Sequence, residues 1–256
     1  MCGRLCCALS PEQVRQAAHV SKEAAWDGEE RFRGQYNVSP GGAVPCLRTK
    51  DDGSRSLCTV SFGMPFEDGR MRINARVEGL QRIAQWRKLL QSGRGVVFCR
   101  GFFEWEEGKD GQKRPYYVHA AEGDVMAIAA LCDDEGHAVL ITSDACESLR
   151  WLHDRMPCLL PFESYLQEWL DGRSGASSPR RGDGLAWHAV TRRMGRVSTQ
   201  GPECIAKLED DQLHQESLEV AAQKGWRERA AADPHQKRIH QFFTVSPSKR
   251  PKTETP

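Results

Sequence analysis

The chain has 256 residues, 36 Lys+Arg against 35 Asp+Glu, a formal net charge of +1 and 39% hydrophobic residues, which allows one sizeable core and argues against a globally basic nucleic-acid binder. No run approaches the ~18 consecutive apolar residues of a membrane helix, and the first residues lack the basic stretch and apolar core of a secretion signal, so neither membrane insertion nor secretion is expected. Ten cysteines without Cys-x-x-Cys spacing read as buried, inert thiols in a reducing compartment, and no metal or cofactor is expected.

In chain order, Ser10-Pro11-Glu12-Gln13 carries the signature of a helix start: a capping serine, proline at the first helical position and a glutamine that completes a capping box. The helix is predicted to run to about His19. Short β-type runs follow at Leu57–Phe62, Gly95–Phe98, Tyr116–His119, Val125–Leu131, Ala138–Thr142 and Ala186–Val190, separated by turn material such as Ser39-Pro40-Gly41-Gly42 and Lys109-Asp110-Gly111. A second helix is expected over Phe162–Leu170, where Phe162, Leu166, Trp169 and Leu170 fall on one face. Short strands with few helices predict an α+β domain around a curved sheet or open barrel. The Gly-, Ser- and Arg-rich residues 171–184 read as a long loop inside that domain. The organisation expected is a domain over residues 1–206, a charged helical extension over 207–232 and a disordered tail over 233–256.

Charge is concentrated at the end. Residues 235–256 hold five basic side chains and one acid, which leaves the first 234 residues at −3. Phosphate binding by the body therefore has to come from a local cluster of arginines.

Cys2 follows Met1, and a small second residue is one ahead of which Met1 is readily removed. Removal leaves an amine and a thiol on adjacent carbons. Such a 1,2-aminothiol condenses with an aldehyde: the amine forms an imine, the thiol adds to the same carbon, and a five-membered thiazolidine closes. An α-amine titrates at about 7.7 to 8.0 and a thiol at about 8.5, so modest tuning makes either nucleophilic. Taken alone, Cys2 reads as a plain second residue, since lone cysteines are usually inert. Three further segments bear on it. An amide, a guanidinium and a carboxylate alternate in Ile73-Asn74-Ala75-Arg76-Val77-Glu78, an acid sits among aromatics in Gly101-Phe102-Phe103-Glu104-Trp105, and an imidazole precedes an arginine and a proline in His153-Asp154-Arg155-Met156-Pro157. Singly, Glu104 reads as an exposed strand residue more readily than as a catalytic acid.

In this order, together with Met1-Cys2-Gly3-Arg4, Tyr36-Asn37-Val38-Ser39-Pro40-Gly41 and Trp187-His188-Ala189-Val190, the segments resemble the SOS-response-associated peptidase family over about residues 1–206. The resemblance implies a sensor of abasic sites in single-stranded DNA that caps the lesion through a covalent crosslink. It implies Cys2 as the nucleophile, Asn74 as the amide that orients the amine or the attacked carbon, Glu104 as the group that handles the amine proton, and His153 as the donor to the sugar ring oxygen. The same groups would serve self-removal of Met1. It further implies Arg4, Arg76 and Arg155 as phosphate contacts, Pro40 as a wedge against bases, and Asn37 and Trp105 as neighbours of the pocket. One departure concerns binding: where the family has a tryptophan-rich loop, this chain reads Phe62-Gly63-Met64-Pro65-Phe66, leaving Phe62 and Phe66 as weaker stacking rings.

Two other readings compete. An N-terminal-nucleophile amidotransferase also begins Met-Cys-Gly, but its Asn-Gly-containing stretch is missing. The second is an adapter that docks on the replication sliding clamp: Gln236, Ile239, Phe242 and Phe243 in Gln236-Lys237-Arg238-Ile239-His240-Gln241-Phe242-Phe243 match the pattern Gln-x-x-aliphatic-x-x-aromatic-aromatic, with three apolar groups on one side of a single turn. Lys249-Arg250-Pro251-Lys252 reads as a basic nuclear-import cluster. Clamp docking and crosslinking are compatible, so the expectation is a monomer acting in the nucleus at replication forks.

Overall fold

The computed structural model describes residues 3–49, 53–66, 68–108, 111–123, 125–161, 163–173 and 184–232, with side chains of the last helix described to residue 222. Met1, Cys2, most of the 171–184 loop and the whole clamp-type motif lie outside the described residues. Contacts divide the chain at Leu208 into two units. The first holds β1 (Leu5–Cys7), α1 (Pro11–Ala17), β2 (Trp26–Asp27), β3 (Gln35–Val38), β4 (Ala43–Thr49), β5 (Arg55–Phe62), β6 (Met64–Pro65), β7 (Met71–Arg72), β8 (Asn74–Arg76), α2 (Ala84–Ser92), β9 (Arg94–Cys99), β10 (Gly101–Glu107), β11 (Lys113–Ala120), β12 (Met126–Cys132), β13 (His137–Asp144), β14 (Arg155–Pro157), α3 (Glu163–Leu170) and β15 (Leu185–Ala189). The second holds α4 (Asp210–Ala232), which opens with Asp210 and Asp211 in its first turn, where acids complement the helix dipole.

The α+β expectation holds. The larger sheet runs β14-β13-β12-β9-β4-β5-β2 and curls until β13 meets β5 in parallel, at His137↔Ser61 and Ala138↔Phe62, closing a ring of strands. Ile128 to Cys132 on β12 and Val96 to Cys99 on β9 are buried throughout, as strands covered on both faces must be. Helix α3 covers the ring as its predicted apolar face requires: Trp169 is wholly buried and its indole N–H donates to the Gly95 carbonyl at 2.8 Å. The smaller sheet, β15-β11-β10-β1-β3, sets the N-terminal strand between β10 and β3. Helix α1 starts as read, with Gln13 N–H on Ser10 Oγ and Ser10 N–H on Gln13 Oε1.

Strands β1, β3, β4, β8, β10 and β14 and helix α2 have no counterpart among the runs read from the sequence. Pro45 argues against a strand, yet β9 pairs with β4 only from Cys46 onward, so the missing N–H of Pro45 interrupts nothing on that side. Helix α2 has an interior dominated by polar and charged residues and buries only Trp86 and Leu89. No helix among the described residues is long and apolar enough to cross a membrane.

Gly95 sits where three strands and α3 converge. A Cβ there would lie 2.6 Å from Cys132 Sγ and 3.0 Å from Cys46 Sγ, below any ordinary contact. Gly95→Ala is therefore expected to destabilise the domain by about 1–3 kcal/mol through overpacking, read as a lower denaturant midpoint at unchanged slope.

Candidate active site

The site is built where the short strand β1 meets β10. Leu5 pairs with Phe102 and Cys6 with Gly101, and Phe103 N–H donates to the Arg4 carbonyl at 3.0 Å. Antiparallel continuation sets Gly3 opposite Glu104. The alternation of β10 explains what each residue does. Phe102 joins Leu5 in the main core, Phe103 joins Cys6 and Tyr117 in a second small core on the other face, and Glu104 returns to the side of Phe102. Only 4% of Glu104 is exposed, and burial pushes its carboxyl above the ordinary range, partly opposed by the positive charge of the chain's N-terminus and by the Trp105 N–H. Glu104 is on a strand and buried, facing Tyr116 across the β10–β11 pair, so the rival reading of it as an exposed strand residue does not hold.

His153 arrives from the turn before β14. Its Nδ1 lies 2.9 Å from the Arg155 N–H and 2.7 Å from Asp154 Oδ1, so the neutral ring finds a donor and the protonated ring an acceptor at the same atom. Burial lowers its pKa, the charge of the N-terminus adds to the fall, and Asp154 opposes it. Asp154 also raises Glu104, which ties the two groups into one electrostatic neighbourhood.

Asn74 and Arg76 stand on β8, paired with Leu140 and Thr142 of β13. They line a cleft of about 580 Å³ together with Phe66, Arg72, Arg82, Trp86 and Arg155. Arg76 is exposed, as a phosphate contact requires. Arg155 is 8% exposed and committed to the protein: its guanidinium donates to both Glu78 oxygens at 2.8 and 3.1 Å, to Asp144 at 2.6 Å and to the Thr142 carbonyl at 2.8 Å. That pairing holds Glu78 below the usual carboxylate range. Arg4 is similarly engaged, donating to Asn37 Oδ1 at 2.7 Å and to the Met194 and Gly195 carbonyls, with Trp105 beneath its guanidinium. Asn37, 2% exposed, donates in turn to the carbonyls of Met194, Arg196 and Thr199. Arg4, Asn37 and Trp105 therefore brace the closing segment of the domain, residues 194–199, against β1 and β3. Pro40 is exposed in the turn after β3, which is clamped to Phe62 by the Gly41 N–H at 2.7 Å. Of the two rings expected to stack on bases, Phe62 is fully buried in the core, while Phe66 is half-buried between Trp86 and the Arg72 guanidinium.

Sequence reading missed Arg72 and Arg82, which no motif marks. It also missed a trio in the β12–β13 turn, Asp133, Glu135 and His137, whose ligand atoms lie within 4.8 Å of one another. Asp133 there accepts the His137 N–H and faces His137 Nδ1, both at 2.8 Å, contacts that set the turn itself. The described thiols, Cys6, Cys7, Cys46, Cys58, Cys99, Cys132, Cys146, Cys158 and Cys204, are buried and form no disulfide among themselves.

Residues 1–197 match the family described as SOS response associated peptidase. The chain is 30% identical over 223 residues, 80% of its length and 99% of the relative's, to the abasic site processing protein YedK of Escherichia coli. It is 25% identical over 280 aligned positions to the abasic site processing protein HMCES of Xenopus tropicalis, covering 88% and 83% of the two chains. The fold matches a crystal structure of a Bacteroides thetaiotaomicron protein with a TM-score of 0.65 at 18% identity, over 81% of this chain and all of that one.

Because burial raises the Glu104 carboxyl, folding binds its proton more tightly than the unfolded chain does, so its ionisation destabilises the fold as pH rises through the window above the ordinary glutamate value. Glu104→Gln is expected to raise Tm at about pH 8 by roughly 3 °C, on the order of 1 kcal/mol, and to leave Tm unchanged at about pH 4. Thermal scans across that range check it.

Proposed function

The chain belongs to the SOS response associated peptidase family, and on that premise we propose that it processes abasic sites in single-stranded DNA by forming a thiazolidine crosslink through its mature N-terminal Cys2. Two relatives carry the name abasic site processing protein. The observation that carries the reading is the register of β1 on β10, which sets Gly3 opposite a buried Glu104 whose carboxylate has a raised proton affinity.

The chemistry follows from the groups present. After Met1 is removed, the Cys2 amine must lose a proton to attack, and Glu104 is the acceptor at hand. Abasic deoxyribose is mostly a closed ring, so a proton donated to its ring oxygen by His153, with loss of the C1 hydroxyl proton to water, breaks the C1–O bond and frees the aldehyde. The amine adds to that aldehyde and water leaves as the imine forms. The thiol then adds to the same carbon and its proton passes to the imine nitrogen, closing the ring. Asn74, at the mouth of the arginine-lined cleft, holds the reacting carbon by its amide. Self-cleavage after Met1 would use the same thiol and proton carriers. The arginines of the cleft meet phosphates, which positions the strand without reading bases.

Mature protein is expected to form an adduct with abasic single-stranded DNA that survives a denaturing gel. Cys2→Ala should reduce it at least ~100-fold, and Glu104→Gln should slow it about 10- to 100-fold while DNA binding persists. Arg76→Ala should weaken binding several-fold and reduce the salt slope by about 0.7, with the pH profile of crosslinking unchanged. A normal yield from Cys2→Ala would overturn the mechanism.

We propose also that the tail brings this activity to replication forks in the nucleus through Gln236, Ile239, Phe242 and Phe243. A peptide of residues 233–248 is expected to bind the sliding clamp, and the Phe242→Ala, Phe243→Ala peptide to lose at least tenfold in affinity. Equal affinity of the two peptides would remove the proposal.

A further inference from the structure

Stacking on a base needs an aromatic ring with an open face, and the Phe62–Phe66 segment does not provide a pair of them: Phe62 is fully buried and Phe66 is shared between Trp86 and Arg72. The most open tryptophan among the described side chains lies elsewhere. Trp151 is 46% exposed in the turn that follows Leu149, two residues before His153. Its indole is held in place from beneath. Tyr116 meets it edge to face, with ring centres 5.0 Å apart and planes at 86°, and Trp187 lies 6.4 Å away.

The three rings share one address. Tyr116 is the cross-strand partner of Glu104, and Val118, two residues further along β11 and on the same face, pairs with Trp187 of β15. Trp151 therefore covers the strand positions beside Glu104 and belongs to the same turn as His153. An edge-on contact from Tyr116 fixes the indole while leaving it broadly exposed, which is the arrangement of a stacking platform. Arg150, exposed beside it, adds a cation where the phosphate of a stacked nucleotide would pass.

Resting on the reading of this site as one for abasic single-stranded DNA, we propose that Trp151 stacks on the intact base adjacent to the abasic sugar, taking the role that the Phe62–Phe66 segment is too poor in open rings to fill. The base neighbouring a lesion is then what the protein grips, while the missing base leaves the sugar free to enter between Glu104 and His153.

The test uses the full-length chain carrying Cys2→Ala, so that no covalent capture occurs, and short single strands with a stable closed abasic analogue at the centre. One strand has intact bases on both sides of the analogue; the other has the analogue at those flanking positions too. Trp151→Ala should weaken binding to the first strand about tenfold and Trp151→Phe less than threefold. On the second strand wild-type and Trp151→Ala side chains should bind alike. Equal affinity of Trp151→Ala and Trp151 protein for the first strand overturns the proposal. An equal loss on both strands also overturns it, since Trp151 would then be supporting Tyr116 rather than gripping a base. The underlying reading fails on a separate observation, the absence of an adduct from mature protein with Cys2 intact. Adduct formation with no effect of Trp151 would leave that reading standing and remove the stacking role alone.

Discussion

A three-residue strand cannot hold itself, yet β1 has to deliver the start of the chain to the middle of a sheet. Its cross-strand bonds reach β10 on one side and β3 on the other, and the buried amide of Asn37 locks that second side. Its oxygen accepts Arg4, its nitrogen serves three carbonyls of the closing segment, and the Gln200 amide bonds back to the N–H of Tyr36 and Asn37 and to the Asn37 carbonyl. Residues far apart in sequence thus converge on one side chain. A buried amide with all its polar atoms engaged stabilises only that arrangement, because any slip leaves several groups unpaired at a cost of about 1–3 kcal/mol each. The position of Gly3 opposite Glu104 depends on this lock.

Burial does the chemical tuning as well. An ordinary glutamate and an ordinary histidine titrate about two units apart. Withdrawing both from water moves the carboxyl up and the imidazole down, which brings their proton affinities toward each other. The charge at the chain's N-terminus acts on both, restraining the rise at Glu104 and deepening the fall at His153.

Much of the scaffold was legible because its strands bury both faces or alternate, and because Ser10-Pro11-Glu12-Gln13 caps a helix by local bonding alone. Pro45 hid β4, since the sequence carries no sign of which edge of a strand a neighbour will use. The polar face of α2 hid a helix held by Trp86 and Leu89. At the site, residue type was readable and commitment was not. Arg4, Arg76 and Arg155 look equivalent as letters, but two of them spend their donors on Asn37, Glu78, Asp144 and main-chain carbonyls, and Arg76 stands open on the cleft. The distinction depends on Glu78 reaching Arg155 from the turn after β8 and Asp144 from the end of β13, and no spacing along the chain encodes that meeting.

How a body of net charge −3 could hold a polyanion follows from the same commitments. At physiological ionic strength a charge is felt over about 8 Å, so acids elsewhere on the surface are invisible to a strand in the cleft. Within it, Arg72, Arg76 and Arg82 face the space with Phe66 and Trp86 between them. The acid nearest the cleft floor, Glu78, is already neutralised by Arg155. Arg155 is shared between Glu78 and Asp144 and Arg72 is paired with Asp68, so the positive sign of the cleft is left to Arg76 and Arg82. Local pairing, rather than overall composition, sets the field that a strand would meet, which is why a nearly neutral sequence is compatible with binding DNA.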